Sequence, residues 1–225
     1  MNSHLTTRRR FLVRASIVGL AASLVPALLA GCTQAVSAPL PQVYTRIAPG
    51  SETATFAAGC FWSMEAIFQQ LKGVEKVEPG YAGGTVANPS YEQVETSTTG
   101  HAETINIIYD PKVISYRDLL QVLLISRNPT TLDRQGPDAG PQYRSMIFYR
   151  SAAQRKAAEA AIVQINKSHV WPAQIVTELQ QYTHFYEAER YHDDYYRHHP
   201  TEGYCQGVIA PEIAEFRSKF PTKLK

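Results

Sequence analysis

Cys60 stands behind a glycine and ahead of an aromatic pair, in the stretch TATFAAGCFWSMEAIFQQLKG of residues 53–73. The reactive form of a cysteine is its thiolate, and the unpaired N–H groups and dipole at a helix start favour that form. Phe61, Met64, Phe68 and Leu71 recur at three- and four-residue steps, which predicts a helix opening at Cys60, with Gly73 as a natural stop. Gly59 permits a sharp turn into that helix. Phe61 and Trp62, in its first turn, would wall an apolar pocket beside the sulfur. This is the setting of a working thiol. It is equally open to a plainer reading, because Cys205 is the other cysteine of the folded part and two cysteines in an exported protein often form a structural disulfide.

The export reading comes from the N-terminus. Residues 1–31 carry four arginines (Arg8, Arg9, Arg10, Arg14), then an apolar run from Ala15 to Ala30 too short to span a bilayer comfortably. Thr7–Leu12 resembles a twin-arginine signal, and Leu29-Ala30-Gly31-Cys32 resembles a lipoprotein processing box that would acylate Cys32. A plain signal with an incidental cysteine is the alternative. The expectation is an exported protein, periplasmic or on the cell surface, held to a membrane through Cys32. Residues 32–53, rich in Pro, Ser and Ala, read as a flexible tether, and 54–225 as a single catalytic domain. Beyond residue 31, 18 of the 22 basic side chains remain against 20 acidic ones, a net charge of −2. That balance gives no basic stripe for nucleic acid.

The elements that must position Cys60 follow from periodicity. TATFAA (53–58) is a short strand, VEKVEPGYAGG a strand running into a glycine-rich loop, and AETINIIYD a strand with Ile105, Ile107 and Tyr109 on one face. Ser115 to Asp118 has the form of a capping box ahead of the helix RDLLQVLLIS. SMIFYR predicts a strand, SAAQRKAAEAAIVQIN a helix capped by Ser151, AQIVTELQ a strand, and FYEAERYHDDYYRHH a short aromatic helix. The order predicts an α+β sheet with helices packed on it. Three polar, glycine-bearing loops, 80–103, 127–145 and 200–207, are long enough to be functional.

Several of these stretches resemble one family. GCFWSMEAIF resembles the GCFW signature of the A-type peptide methionine sulfoxide reductases, which act on the S epimer of the sulfoxide. The likeness continues through GYAGG (80–84), NPSYEQV (88–94), TGHAETINIIYDP (99–111), NPTTLDRQGPDAGPQYRS (128–145) and GYC (203–205). The resemblance implies a ferredoxin-like α/β-plait core with long excursions. It implies Cys60 as nucleophile, Phe61 and Trp62 as the pair holding the substrate S-methyl group, and Glu103 as general acid. Tyr91 and Tyr143 match the hydroxyl donors to the sulfoxide oxygen, Asp138 a carboxylate of the same pocket, and Cys205 the recycling cysteine. A Cys60 sulfenic acid, a Cys60–Cys205 disulfide and a thioredoxin-like reductant belong to the same implied scheme, in a monomer that needs no metal or organic cofactor. To act as an acid, Glu103 needs a water-poor setting that raises its pKa. Arg127 stands where the family commonly has His, and Pro141 where Thr is common.

Other readings compete. His192, Asp193, His198 and His199 supply metal-ligand types. Cys60 with His101 as base would suit a cysteine hydrolase, although such an enzyme has no use for Cys205. A non-enzymatic lipoprotein clamped by a Cys60–Cys205 disulfide is the third.

Overall fold

The structure, a computed structural model, describes residues 48–225; the export signal, Cys32 and most of the tether lie outside the described residues. Its strands are β1 (Glu52–Ala57), β2 (Val74–Ala82), β3 (Ala102–Tyr109), β4 (Arg134–Gln135), β5 (Asp138–Ala139), β6 (Met146–Tyr149), β7 (Glu178–Gln181) and β8 (Phe185–Glu187). The helices are α1 (Phe61–Phe68), α2 (Tyr91–Glu95), α3 (Tyr116–Ser126), α4 (Ala152–Ser168), α5 (Tyr195–His198) and α6 (Ala210–Lys219). β1 opens at Glu52, so the strand takes in the last residues of the segment whose composition reads as tether.

Six strands form one mixed sheet in the order β7-β6-β1-β3-β2-β8, and β4 pairs with β5 in a separate small hairpin. β1 and β2 both pair antiparallel with β3, so they run parallel to each other and α1 is the crossover between them. β6 pairs antiparallel with β1 and parallel with β7. The fold is therefore α+β, with helices packed on a mixed sheet.

β3 is central, and all eight of its residues are buried, where simple alternation predicts one buried face. α1 touches both β2 and β3, while α6 touches α1 and α3, and α3 touches α4. The apolar residues of α1 predicted from its spacing all go inside, and Leu71 lies beyond the helix, bridging to Leu224. α3 begins with the expected Ser115–Asp118 capping box and α4 with a Ser151 cap.

Two segments depart from expectation. FYE, within the predicted aromatic helix, is instead edge strand β8, paired with Gly80–Ala82 of β2. GYC is helical: a π turn, Cys205–Ile209, runs directly into α6. Pro211 explains the π turn. Its ring would strike the carbonyl four residues back, and it has no N–H for that carbonyl, so the widened turn takes up the misfit. Among the described residues no helix is long and apolar enough to cross a membrane.

Candidate active site

The site is built around the start of α1. Gly59 adopts φ +83°, and a methyl group there would come within 2.6 Å of the Arg127 and Gln135 side chains, so glycine is required on two counts. Cys60 is the N-cap residue of α1 and is buried. Of the N–H groups left free at any helix start, the first after Cys60 finds a carboxyl. Phe61 N–H donates to Glu103 Oε2 at 2.8 Å, while the Trp62 N–H lies close enough to the Cys60 sulfur to favour its thiolate without a capping hydrogen bond.

Glu103, on β3, is 2 % exposed. Burial pushes its carboxyl well above the usual range against the pull of the Phe61 N–H, with the Glu95 and Asp138 charges adding to the rise. The water-poor setting expected of Glu103 is present.

The sulfur departs from expectation. Burial, then the Glu103 charge, pushes the Cys60 thiol well above its ordinary value, and the Trp62 N–H and Tyr204 hydroxyl only partly offset this. The helix start acts in the direction expected, but it is outweighed. In the substrate-free site burial thus favours the protonated form of both the Cys60 thiol and the Glu103 carboxyl.

Phe61 is fully buried and Trp62 half-buried. The Trp62 ring stacks on Tyr195, with centroids 3.7 Å apart and planes 5° from parallel, and Tyr204 meets its edge at 6.1 Å. Phe61 lies 6.3 Å from Tyr91, nearly parallel to it. These rings form one aromatic cluster around the first turn of α1. Tyr91 and Glu95 are one turn apart on α2, so they share a helix face. The Tyr143 hydroxyl donates to Glu95, at 3.2 and 3.1 Å from its two oxygens, a partner the sequence reading did not provide. Burial, with Glu103 and Glu95 close by, raises the pKa of both Tyr91 and Tyr143 and keeps their protons in place.

Asp138, in β5, accepts a hydrogen bond from Tyr204 at 2.6 Å, and the same Tyr204 hydroxyl also acts on the Cys60 sulfur. Tyr204 immediately precedes Cys205, so the GYC motif reaches the nucleophile through its tyrosine. Sequence reasoning quoted that motif and missed this residue. Cys205 is a free thiol, like Cys60, and is wholly buried. Its predicted place in a mobile glycine-flanked loop gives way to the π turn.

Arg127 is buried. Its Nε–H donates to the Ala58 carbonyl at 2.9 Å, and its guanidinium pairs with Glu212 of α6, which also accepts from Ser63 of α1 at 2.6 Å. Pro141 opens the 3-10 turn that carries Tyr143.

The geometry also decides between rivals. His101 Nδ1 accepts from Gly84 N–H at 3.1 Å, so its proton sits on Nε2 and goes to the Val86 carbonyl at 2.8 Å. Both ring nitrogens are spent on backbone, and His101 cannot serve Cys60 as a base. His192 is buried, and its Nδ1 accepts from Trp62. Among the described residues no three His, Cys, Asp or Glu side chains are grouped to hold a metal.

A buried thiol at a helix start, coupled to a proton-holding carboxyl and walled by aromatic rings, defines a thiol-based oxidoreductase. Comparison with known proteins makes the class specific. Residues 52–224 match the family model for peptide methionine sulfoxide reductase. The chain is 48 % identical over 172 residues to peptide methionine sulfoxide reductase MsrA of Polynucleobacter asymbioticus, covering 76 % of this chain and 90 % of that one. It is 48 % identical over 174 residues to the MsrA of Saccharolobus solfataricus, covering 77 % and 97 %. Reduced Mxr1 of Saccharomyces cerevisiae has a similar structure, with TM-score 0.68 and 30 % identity over 73 % of this chain and 94 % of that one. The chain belongs to the peptide methionine sulfoxide reductase family, and to its A type.

Proposed function

We propose that the chain reduces the S epimer of methionine sulfoxide, free or within oxidised proteins, to methionine, with Cys60 as nucleophile and Glu103 as acid. The observation that carries this reading is the hydrogen bond from the Phe61 N–H to Glu103, which ties the buried carboxyl to the residue after Cys60 at the start of α1.

Attack on a sulfoxide sulfur drives negative charge onto its oxygen, so a proton must be waiting there. Neutral Glu103, accepting at Oε2, carries that proton on its other oxygen. As the Cys60 sulfur bonds to the substrate sulfur, Glu103 protonates the sulfoxide oxygen, and the proton leaving Cys60 restores the carboxyl. The oxygen transfers to Cys60, and methionine leaves. Thiol and sulfoxide thus become sulfenic acid and thioether, and the substrate supplies the oxidant. Tyr91 and Tyr143 face the same oxygen as hydrogen-bond donors. Tyr143 reaches it by giving up Glu95. Phe61 and Trp62 enclose the S-methyl group, and Asp138 holds the Tyr204 hydroxyl against the sulfur.

The Cys205 thiol then displaces water from the sulfenic acid to form the Cys60–Cys205 disulfide. Both thiols start buried, so the disulfide forms away from bulk water. A thioredoxin-like dithiol reduces the disulfide and is itself oxidised. The N-terminal motifs support export and acylation of Cys32, which would place the repair of oxidised methionines outside the cytoplasm.

Purified protein is to be given dithiothreitol and the separate S and R sulfoxide epimers of a methionine peptide. Turnover of the S epimer alone is the expected result; use of both epimers, or of neither, overturns the assignment.

A further inference from the structure

His192 is a buried titratable group that the mechanism above does not use. Its Nδ1 accepts the Trp62 indole N–H at 3.0 Å, so the ring is neutral with its proton on Nε2. Nε2 is buried and has no hydrogen-bond partner, the nearest carboxylate oxygen being Glu189 Oε2 at 3.7 Å. Burial holds the imidazole neutral, with its pKa lowered to about 4. An apolar residue would fill this site without stranding a buried N–H. What an apolar residue could not do is accept from Trp62, whose indole is a donor only.

His192 closes a 3-10 turn, Arg190–His192, in which its own N–H donates to the Glu189 carbonyl at 2.9 Å. At the other end of the turn, Glu189 Oε1 accepts the Tyr91 backbone N–H and Oε2 accepts the Tyr81 hydroxyl, both at 2.9 Å. The His192 ring itself packs against both aromatic walls, 4.9 Å from Phe61 and 4.6 Å from Tyr91. One four-residue turn therefore fixes the Trp62 indole and the start of the helix bearing Tyr91.

We infer that His192, assisted by Glu189, is a positioning residue that sets the gap between Trp62 and Tyr91 and thereby restricts the pocket to methyl sulfoxides. The inference rests on the reading of Trp62 as a wall for the S-methyl group. A pocket of fixed width discriminates against one added methylene; a loosened one does not.

The test compares kcat/KM for the S sulfoxides of methionine and of its ethyl analogue, with dithiothreitol, in wild type, His192→Asn and His192→Gln. Asn places its oxygen where Nδ1 lies and keeps the Trp62 bond, so His192→Asn retains the methyl preference. Gln carries its oxygen one bond further out. His192→Gln loses about ten-fold of that preference, within the range one methylene commands. The loss comes mainly through a higher KM for the methyl substrate. In a Trp62→Phe background, which has no indole N–H, His192→Gln adds no further loss. Indole emission from the native protein, read in a Trp171→Phe background so that Trp62 alone reports, shifts in the Gln variant and not in the Asn variant.

Equal methyl preference in all three proteins, or a full His192→Gln effect without the indole, overturns the inference. Wild type that fails on methionine-S-sulfoxide instead sinks the proposed function, so the two failures are distinct.

Discussion

The Phe61 backbone N–H donates to Glu103 Oε2 at 2.8 Å, which binds the residue after the nucleophile to the acid. Glutamine at 103 keeps an acceptor for that N–H and removes the transferable proton. Glu103→Gln is expected to lower kcat by roughly 10²–10⁴-fold with little change in KM. Burial raises the Glu103 pKa, and the acid works only while protonated, so the wild-type rate falls as pH rises through that raised value. The Gln variant lacks this descending limb. Pre-steady-state rates of methionine release against pH check both points.

A second buried carboxyl lies further along α1. Glu65 accepts the Asp194 N–H on both oxygens, at 3.1 and 3.0 Å, and burial raises its pKa from 4.5 to about 8. Its folded value lies above its unfolded one, so its contribution to stability is complete below pH 4.5 and is lost as pH climbs toward 8. In that window the native state holds a proton the unfolded chain has shed, and stability falls by up to about 1.4 kcal/mol per pH unit. Denaturant unfolding of wild type and Glu65→Gln across the window is expected to show a shallower pH slope in the variant.

Tyr204 donates to Asp138 at 2.6 Å while acting on the Cys60 sulfur. When the thiolate forms, the Tyr204 hydroxyl turns its one hydrogen from Asp138 to the sulfur, so its removal leaves the thiolate with one donor fewer. In a Cys32→Ser, Cys205→Ser background, where Cys60 alone reports, Tyr204→Phe is expected to slow alkylation at fixed neutral pH. The slowing is roughly ten-fold or more, the loss of a hydrogen bond to a charged group. Iodoacetamide kinetics give the number.

Arg127 joins the Ala58 carbonyl, just ahead of the nucleophile turn, to Glu212 on the helix that follows Cys205. Arg127→Met strands the Glu212 carboxylate and the Ala58 carbonyl, and is expected to cost about 3 kcal/mol of stability. Lysine cannot reach both partners with one ammonium, so Arg127→Lys rescues little. Urea unfolding midpoints measure both variants.

Local chemistry made much of this fold legible. The α1 spacing, the Ser115–Asp118 capping box and the Ser151 cap are signals contained within a few residues, and each element starts where they indicate. β8 was illegible because it is three residues long and is a strand only through pairing with β2, more than a hundred residues away. The π turn at Cys205 was hidden because Gly203, Gly207 and Pro211 read locally as a loop, whereas packing of Ile209, Ile213 and Phe216 into the core holds them helical. The partners of the candidate residues were the least visible. Glu95, Glu189 and Tyr204 act through contacts between distant segments, and His192 stood out in the sequence only as a potential metal ligand. The upward push on the Cys60 thiol follows from burial, which no local pattern encodes.

The central claim is that the sulfoxide oxygen passes to Cys60. Intact-mass and peptide mass spectrometry of the Cys205→Ser variant, after one equivalent of methionine-S-sulfoxide labelled with heavy oxygen, follows that atom. One labelled oxygen on Cys60, with one equivalent of methionine released, is the predicted result. An unlabelled Cys60 accompanying methionine release would contradict the account.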